Sequence, residues 1–255
     1  MWNDYCALNP AAKKIYDVFT AEGEVVLNDH IALRTFKHPR LGLEAMAETF
    51  KGLGYREVND YHFKQKKLYA KHYEHPNDKN PKIFISELLV DQLSPQAQQA
   101  IESVVEQIPD QVTARPDFSY SGRTWKLTHK TYEMLAAESE YAAWVSAIGF
   151  RPNHFTVYVN HMKNYNTIEK VNQFLESKGF ILNASGGKIK GTPGELLEQS
   201  STMAELVKVN FEEGTFEVPG CYYEFARRYA GTDGKLYQGF VAASADKIFE
   251  STNRM

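Results

Sequence analysis

One strand-and-helix pattern occurs twice in this chain, in unlike sequence but with nearly equal spacing. The first copy begins with VVLNDHIALRTF over residues 25–36, and the second begins with FRPNHFTVYVN over residues 150–160. Each apolar run contains one histidine, and a helix-like run follows that ends at a glycine and an aromatic residue. His30 precedes Gly54 by 24 residues, and His154 precedes Gly179 by 25. This repeat predicts one structural unit used twice, with the two histidines at equivalent positions.

The alternation of side chains along a strand assigns the candidate residues to faces. His30 and Arg34 fall on the same side of the first predicted strand. A third candidate, Glu224, lies in a strand-like run from Tyr222 to Tyr229, where it is a carboxylate in apolar company and needs a partner. Two imidazoles and one carboxylate suit non-haem Fe(II) and leave coordination positions open for substrate and oxygen. We therefore predict a metal site made by His30, His154 and Glu224.

The repeat predicts an α+β fold in which two βαβββ-type modules with curved mixed sheets enclose the metal site. We expect a single catalytic domain over residues 1–255, with module one at about 20–90 and module two at about 150–240. A helical insertion is predicted at about 91–149, beginning at Ser94 as N-cap with Pro95 in the first helical position. The C-terminal segment 241–255 contains a short predicted helix. Less regular stretches predict a short helix near 195–206 and a last strand at 235–240.

The composition is that of an ordinary globular protein, with 43% hydrophobic and 24% charged residues. A net charge of -3 gives no electrostatic case for nucleic-acid binding. Two cysteines cannot form a disulfide framework, and no apolar run is long enough for a membrane helix. We therefore expect a cytoplasmic protein without a membrane partner. The sequence does not indicate the oligomeric state.

Four alternatives remain open from the residues alone. Glu87 occupies a place in the first unit similar to that of Glu224 in the second, and a fourth ligand there would favour a glyoxalase-like lyase or isomerase. A paired-module binding protein without catalysis would not require the three candidate ligands to converge. Glu224 could instead be the ion-pair partner of Arg227 or Arg228. Arg34 could instead form a salt bridge at the protein surface. The other six histidines have no matching partner, and we expect them in loops or on surfaces: His38, His62, His72, His75, His129 and His161.

Several segments together resemble the 2-oxoadipate dioxygenase/decarboxylase family, which is related to the vicinal oxygen chelate proteins. These segments are NDHIALRTF, FRPNHFTVYVN, LLEQSSTMAELV, VPGCYYEFARRY and GFVAASADKIFEST. The resemblance implies an Fe(II) site with the three ligands above. It also implies that Arg34 and the backbone near Ala243 and Ser244 hold the distal carboxylate of a 2-oxo diacid. The implied reaction is the conversion of 2-oxoadipate and O2 to 2-hydroxyglutarate and CO2.

Overall fold

The computed structural model describes residues 1–252, so residues 253–255 of the predicted C-terminal segment lie outside the described residues. Two helices that the sequence analysis did not assign come first, α1 (Trp2–Leu8) and α2 (Pro10–Ala21). The Asn9 side chain accepts a hydrogen bond from the Ala12 amide and so caps α2. No helix within residues 1–252 is long and apolar enough to cross a membrane.

Module one follows with the predicted βαβββ order. Its elements are β1 (Asn28–Phe36), α3 (Leu43–Lys51), β2 (Arg56–Phe63), β3 (Leu68–Glu74) and β4 (Lys82–Leu88). The apolar stripe of α3 is buried at Leu43, Met46, Ala47 and Phe50, as its helical spacing predicts. Leu53 continues the same spacing, but it lies beyond the end of α3 and is 64% exposed.

The segment between the modules is helical. It contains α4 (Pro95–Val105), α5 (Asp110–Thr113), α6 (His129–Glu138) and α7 (Glu140–Ile148). The Ser94 side chain accepts a hydrogen bond from the Ala97 amide, which matches the predicted cap. The chain breaks at Ser139, which ends α6 and caps α7.

Module two repeats the order of module one and adds a hairpin. Its elements are β5 (Pro152–Tyr158), α8 (Ile168–Ser177), β6 (Lys190–Thr192), β7 (Leu197–Ser201), the separate hairpin of β8 (Leu206–Phe211) and β9 (Gly214–Pro219), and β10 (Tyr222–Arg228). A terminal helix, α9 (Ala242–Phe249), completes the chain. Two predictions here are wrong: β7 replaces the short helix expected near 195–206, and residues 235–240 form no strand. Short 3-10 turns occur at Val90–Gln92, Phe118–Tyr120, Val159–His161, Pro193–Glu195 and Glu250–Thr252.

The two modules form one mixed eight-stranded sheet with the order β2-β3-β4-β1-β5-β10-β7-β6. The joint between them is the antiparallel pair β1 and β5, in which Ala32 lies opposite His154 and His30 opposite Thr156. Helix α9 packs on β2 at one edge of the sheet and on β6 and β7 at the other. The sheet must therefore curve around α9, and its concave face holds the side chains described next.

Candidate metal centre

The three side chains predicted to bind a metal converge on the concave face. His154 Nε2 lies 3.1 Å from Glu224 Oε2, and His30 Nε2 lies 3.5 Å from Glu224 Oε1. One donor atom from each residue lies within 4.8 Å of the others, and none of the three is more than 4% exposed. Strand register produces this arrangement, because β10 pairs in parallel with β5 and places Glu224 beside Thr156, which faces His30.

Burial and hydrogen bonding set the protonation of this group. Burial lowers the pKa of both His30 and His154, so both imidazoles are neutral near pH 7. The Nδ1 atom of His30 lies 2.8 Å from Asp29 Oδ1, and that of His154 lies 3.0 Å from Asn153 Oδ1. These oxygens accept the Nδ1 protons, which leaves both Nε2 atoms as acceptors. Nε2 of His154 faces Glu224, and Nε2 of His30 faces both the Thr156 hydroxyl, at 3.0 Å, and Glu224.

Glu224 supplies the carboxyl group of the set. Burial raises its pKa to about 8, although the Gln199 amide opposes this shift by donating a hydrogen bond of 2.5 Å to Oε1. A buried carboxylate between two neutral imidazole nitrogens lacks a cationic partner. The donor set therefore fits a divalent cation, and two histidines with one carboxylate suit Fe(II) in particular.

Glu87 does not join this group, and its expected equivalence to Glu224 is wrong. In the parallel strand pairs, His30 lies beside Lys82 and His154 lies beside Tyr222. Glu224 is two residues after Tyr222, so its counterpart in module one is Phe84, two residues after Lys82. Glu87 lies on the opposite face of β4, and its Oε2 accepts a hydrogen bond of 2.8 Å from the Leu43 amide at the start of α3. Within residues 1–252 the site therefore has three protein ligands, with an apolar ring in the fourth position.

Arg34 lies on the same concave face as His30 and is 1% exposed, so the alternative of a surface salt bridge is wrong. Its Nη1 donates a hydrogen bond of 2.9 Å to Glu140 Oε1, and its guanidinium lies 4.9 Å from the centre of the Tyr141 ring and 5.2 Å from that of Trp144. This is a buried cation held by one carboxylate and by aromatic faces. Its contact with a substrate carboxylate stays a prediction.

The two predicted backbone contacts lie in the first turn of α9. Ala243 is exposed, whereas Ser244 is buried with its hydroxyl facing Gly191. The same helix turns Ala245, Ile248 and Phe249 toward the candidate ligands. Binding of substrate by the backbone at Ala243 and Ser244 also stays a prediction.

A small cavity adjoins the three candidate ligands. The other residues that line it are Phe84, Gln199, Phe240, Ala245, Ile248 and Phe249. Its free volume is about 20 Å³ for a water-sized sphere, which is room for about one water molecule. Apart from Gln199, this lining is apolar, so the cavity excludes bulk water from the ligands.

Four features of the site were not anticipated. Gln199 lies in the segment expected to be helical, and its Oε1 has no hydrogen-bond partner among residues 1–252. Asp29 binds both His30 and Arg228, so Arg228 is not the partner of Glu224. Phe240 packs edge-on against His30 with ring centres 4.8 Å apart. His72, expected in a loop or on the surface, is buried in β3, where Tyr61 and Glu74 bind its ring nitrogens.

Two βαβββ modules that share one sheet, with two histidines and a glutamate meeting between them, have the architecture of the vicinal oxygen chelate fold. A solved structure from Ralstonia eutropha JMP134, described as a glyoxalase superfamily protein, has the same fold at a TM-score of 0.78 and 21% identity, covering 91% of this chain and 80% of that one. The model of the 2-oxoadipate dioxygenase/decarboxylase family matches residues 10–116 and 113–235. The chain belongs to that family.

Two of the individual relatives have names that agree with this assignment, and a third is described differently. The chloroplastic 2-oxoadipate dioxygenase/decarboxylase of Arabidopsis thaliana is 37% identical over 275 aligned positions, which cover 97% of this chain and 74% of the plant protein. The hydroxyglutarate synthase of Oryza sativa, solved in complex with 2-oxoadipate, superposes with a TM-score of 0.90 at 35% identity over 97% of this chain and 88% of that one. A structure from Shewanella frigidimarina, described as a hydrolase, is 52% identical with a TM-score of 0.91, covering 95% of each chain.

Proposed function

We propose that this protein is an Fe(II)-dependent oxygenase that decarboxylates and hydroxylates a 2-oxo diacid. The proposed reaction converts 2-oxoadipate and O2 to 2-hydroxyglutarate and CO2. The observation that carries the proposal is the set of three candidate ligands with Phe84 in the fourth position, because an incomplete coordination shell leaves coordination positions on the metal for substrate and oxygen. The family membership and the rice structure with 2-oxoadipate support the choice of substrate.

The chain's own residues have separable tasks in this proposal. His30, His154 and Glu224 would hold the iron, and Gln199 fixes the carboxylate of Glu224 through its hydrogen bond. Bound Fe(II) would supply the reactivity toward O2 and the one-electron steps that protein side chains cannot provide. Phe84, as part of the apolar lining, excludes water that would compete with substrate.

Arg34 would select for a second carboxylate on the substrate. It lies four residues from His30 on the same strand, about 13 Å along the backbone at ~3.3 Å per residue. A guanidinium binds carboxylates in a bidentate manner, and burial among aromatic rings strengthens such a contact. The backbone at Ala243 and Ser244 would add donors from the first turn of α9.

The two alternatives are less well supported. A glyoxalase-like lyase or isomerase would require the fourth ligand that Phe84 replaces. A non-catalytic binding protein would not require three buried donors to converge on one point. A cytoplasmic location remains a prediction.

The proposal is tested by oxygen uptake with Fe(II)-loaded protein and a panel of five-, six- and seven-carbon 2-oxo diacids under reducing conditions. We expect equal amounts of O2 consumed, CO2 released and hydroxy acid formed, with the six-carbon substrate preferred. Glu224→Gln should abolish uptake. Glu87→Gln is the matched control and should retain it, because Gln can still accept the Leu43 hydrogen bond. Turnover that persists without oxygen, or no uptake with any diacid, would refute the proposal.

A further inference from the structure

The residue that precedes each candidate histidine ligand has the same task in both modules. Asp29 Oδ1 lies 2.8 Å from His30 Nδ1, and Asn153 Oδ1 lies 3.0 Å from His154 Nδ1. Asp29 and Asn153 are equivalent by the internal repeat, and both are buried. Each supplies the oxygen that holds the Nδ1 proton and leaves Nε2 with the lone pair that could bind a metal, which in His30 faces the Thr156 hydroxyl at 3.0 Å.

The two copies differ in charge. Asn153 is neutral, whereas Asp29 forms a bidentate ion pair with Arg228, in which Nε lies 2.6 Å from Oδ2 and Nη2 lies 2.8 Å from Oδ1. The side chains of both Asp29 and Arg228 are 1% exposed. Asp29 is therefore a buried carboxylate that stays ionised.

Strand register shows that the cationic partner exists for one copy alone. The alignment that equates Phe84 with Glu224 also equates Leu88 with Arg228. A carboxylate at position 153 would thus find no arginine in the position equivalent to Arg228. Arg228 is further fixed by hydrogen bonds from Nη1 to the carbonyl oxygens of Tyr237, at 3.0 Å, and Gly239, at 2.8 Å. The charged copy is therefore held rigidly.

We propose that Asp29 is a positioning residue that makes His30 the stronger of the two imidazole donors to the metal, with Arg228 as its fixed counter-charge. A hydrogen bond to a carboxylate fixes the imidazole tautomer and raises its basicity, and such partners change metal affinity by about 10- to 100-fold. Asn153 gives His154 the same tautomer through a neutral bond, which is about half as strong as a charge-assisted one. This inference rests on the metal site of the proposed function.

The test measures the dissociation constant of Co(II) by competition with a chromophoric chelator, together with the Co(II) absorption spectrum of each variant. Asp29→Asn keeps the acceptor oxygen but removes the charge, and we expect 10- to 100-fold weaker binding and a shifted ligand-field band. Asn153→Ala is the neutral counterpart, and its loss of affinity should be less than about tenfold. A melting curve of each metal-free variant checks that the fold is intact.

In Asp29→Asn, Arg228 loses its counter-charge and could repel the metal cation. The double variant Asp29→Asn with Arg228→Met separates this repulsion from the effect of Asp29 on His30. If Asp29 acts through His30, the double variant still binds Co(II) at least tenfold more weakly than the wild type. Recovery of wild-type affinity in the double variant would overturn the proposal, as would unchanged affinity and spectrum in Asp29→Asn. A wild-type protein that binds no Co(II) would instead refute the metal site itself.

Discussion

At the scale of single residues, Arg34 offers the sharpest test of substrate choice. Arg34→Met removes the buried cation, and we expect the KM for 2-oxoadipate to rise by about 10- to 100-fold, the range for losing a charge-assisted hydrogen bond. Metal affinity should be unaffected, because Arg34 is bound by Glu140 and aromatic rings rather than by the candidate ligands. Steady-state kinetics and Co(II) titration measure the two quantities separately.

Glu140→Gln is the control for Arg34. Glu140→Gln breaks the ion pair with Arg34 but keeps the guanidinium. If the ion pair only supported the fold, Glu140→Gln and Arg34→Met would raise KM equally. We expect Glu140→Gln to change KM much less than Arg34→Met. Loss of iron from Arg34→Met would show that its role lies at the metal and not at the substrate.

The repeat and the period of two paired His30 with His154, whereas Glu224 was added as a carboxylate in apolar company and by the family resemblance. They failed at Glu87 because the sequence shows which residues alternate but not how two strands are shifted against each other. The parallel register of β4 against β1 decides that Phe84, and not Glu87, matches Glu224. Gln199 was missed because its segment was expected to be helical, and because the spacing of a single amide side chain does not distinguish it.

At the scale of elements, α9 closes the cavity over the candidate ligands. Ala245 has the smallest of the α9 side chains that line this cavity, whose free volume is about 20 Å³. Ala245→Leu adds three carbons there, and we expect at least a tenfold loss of activity because overpacking also costs about 1–3 kcal/mol in a filled site. Lys247→Leu introduces the same side chain on the exposed side of α9, where Lys247 pairs with Glu250, and should leave activity within twofold. Equal losses in the two variants would contradict the role of Ala245.

Strand β7 shows why some elements resisted prediction. All five of its residues are buried, because α8 packs on one face of the strand and α9 on the other. A strand covered on both faces has no alternation of polar and apolar residues, so LEQSS carried no signal of period two. The segment 235–240 was read as a strand, but its carbonyls at Tyr237 and Gly239 are bound by Arg228 instead of by a neighbouring strand.

At the scale of the whole molecule, a bound metal would tie the two modules together, because His30 comes from the first and both His154 and Glu224 from the second. A ligand that binds the folded state alone stabilises it, by about 2.7 kcal/mol at a free concentration of 100 times Kd. The size of this effect should depend on pH, since the metal displaces the proton that buried Glu224 retains.

The direction of that pH dependence follows from the shifted groups. In the metal-free protein the pKa of Glu224 is raised to about 8, whereas an unfolded glutamate is ionised above about 4.5. The folded state therefore holds one proton more than the unfolded state up to pH 8, and its free energy of unfolding falls as pH rises. The lowered pKa values of His30 and His154 oppose this trend only below about pH 6.5, where unfolded histidines become protonated.

Between pH 6.5 and 8 we therefore expect the metal-free protein to lose up to about 1.4 kcal/mol of stability per pH unit, the value for one proton. Urea unfolding at several pH values measures this slope. A saturating divalent metal should flatten the slope, because the carboxylate is then ionised in both states. Glu224→Gln has no proton to lose and should flatten it without metal. A slope that survives this substitution would assign the proton to another group.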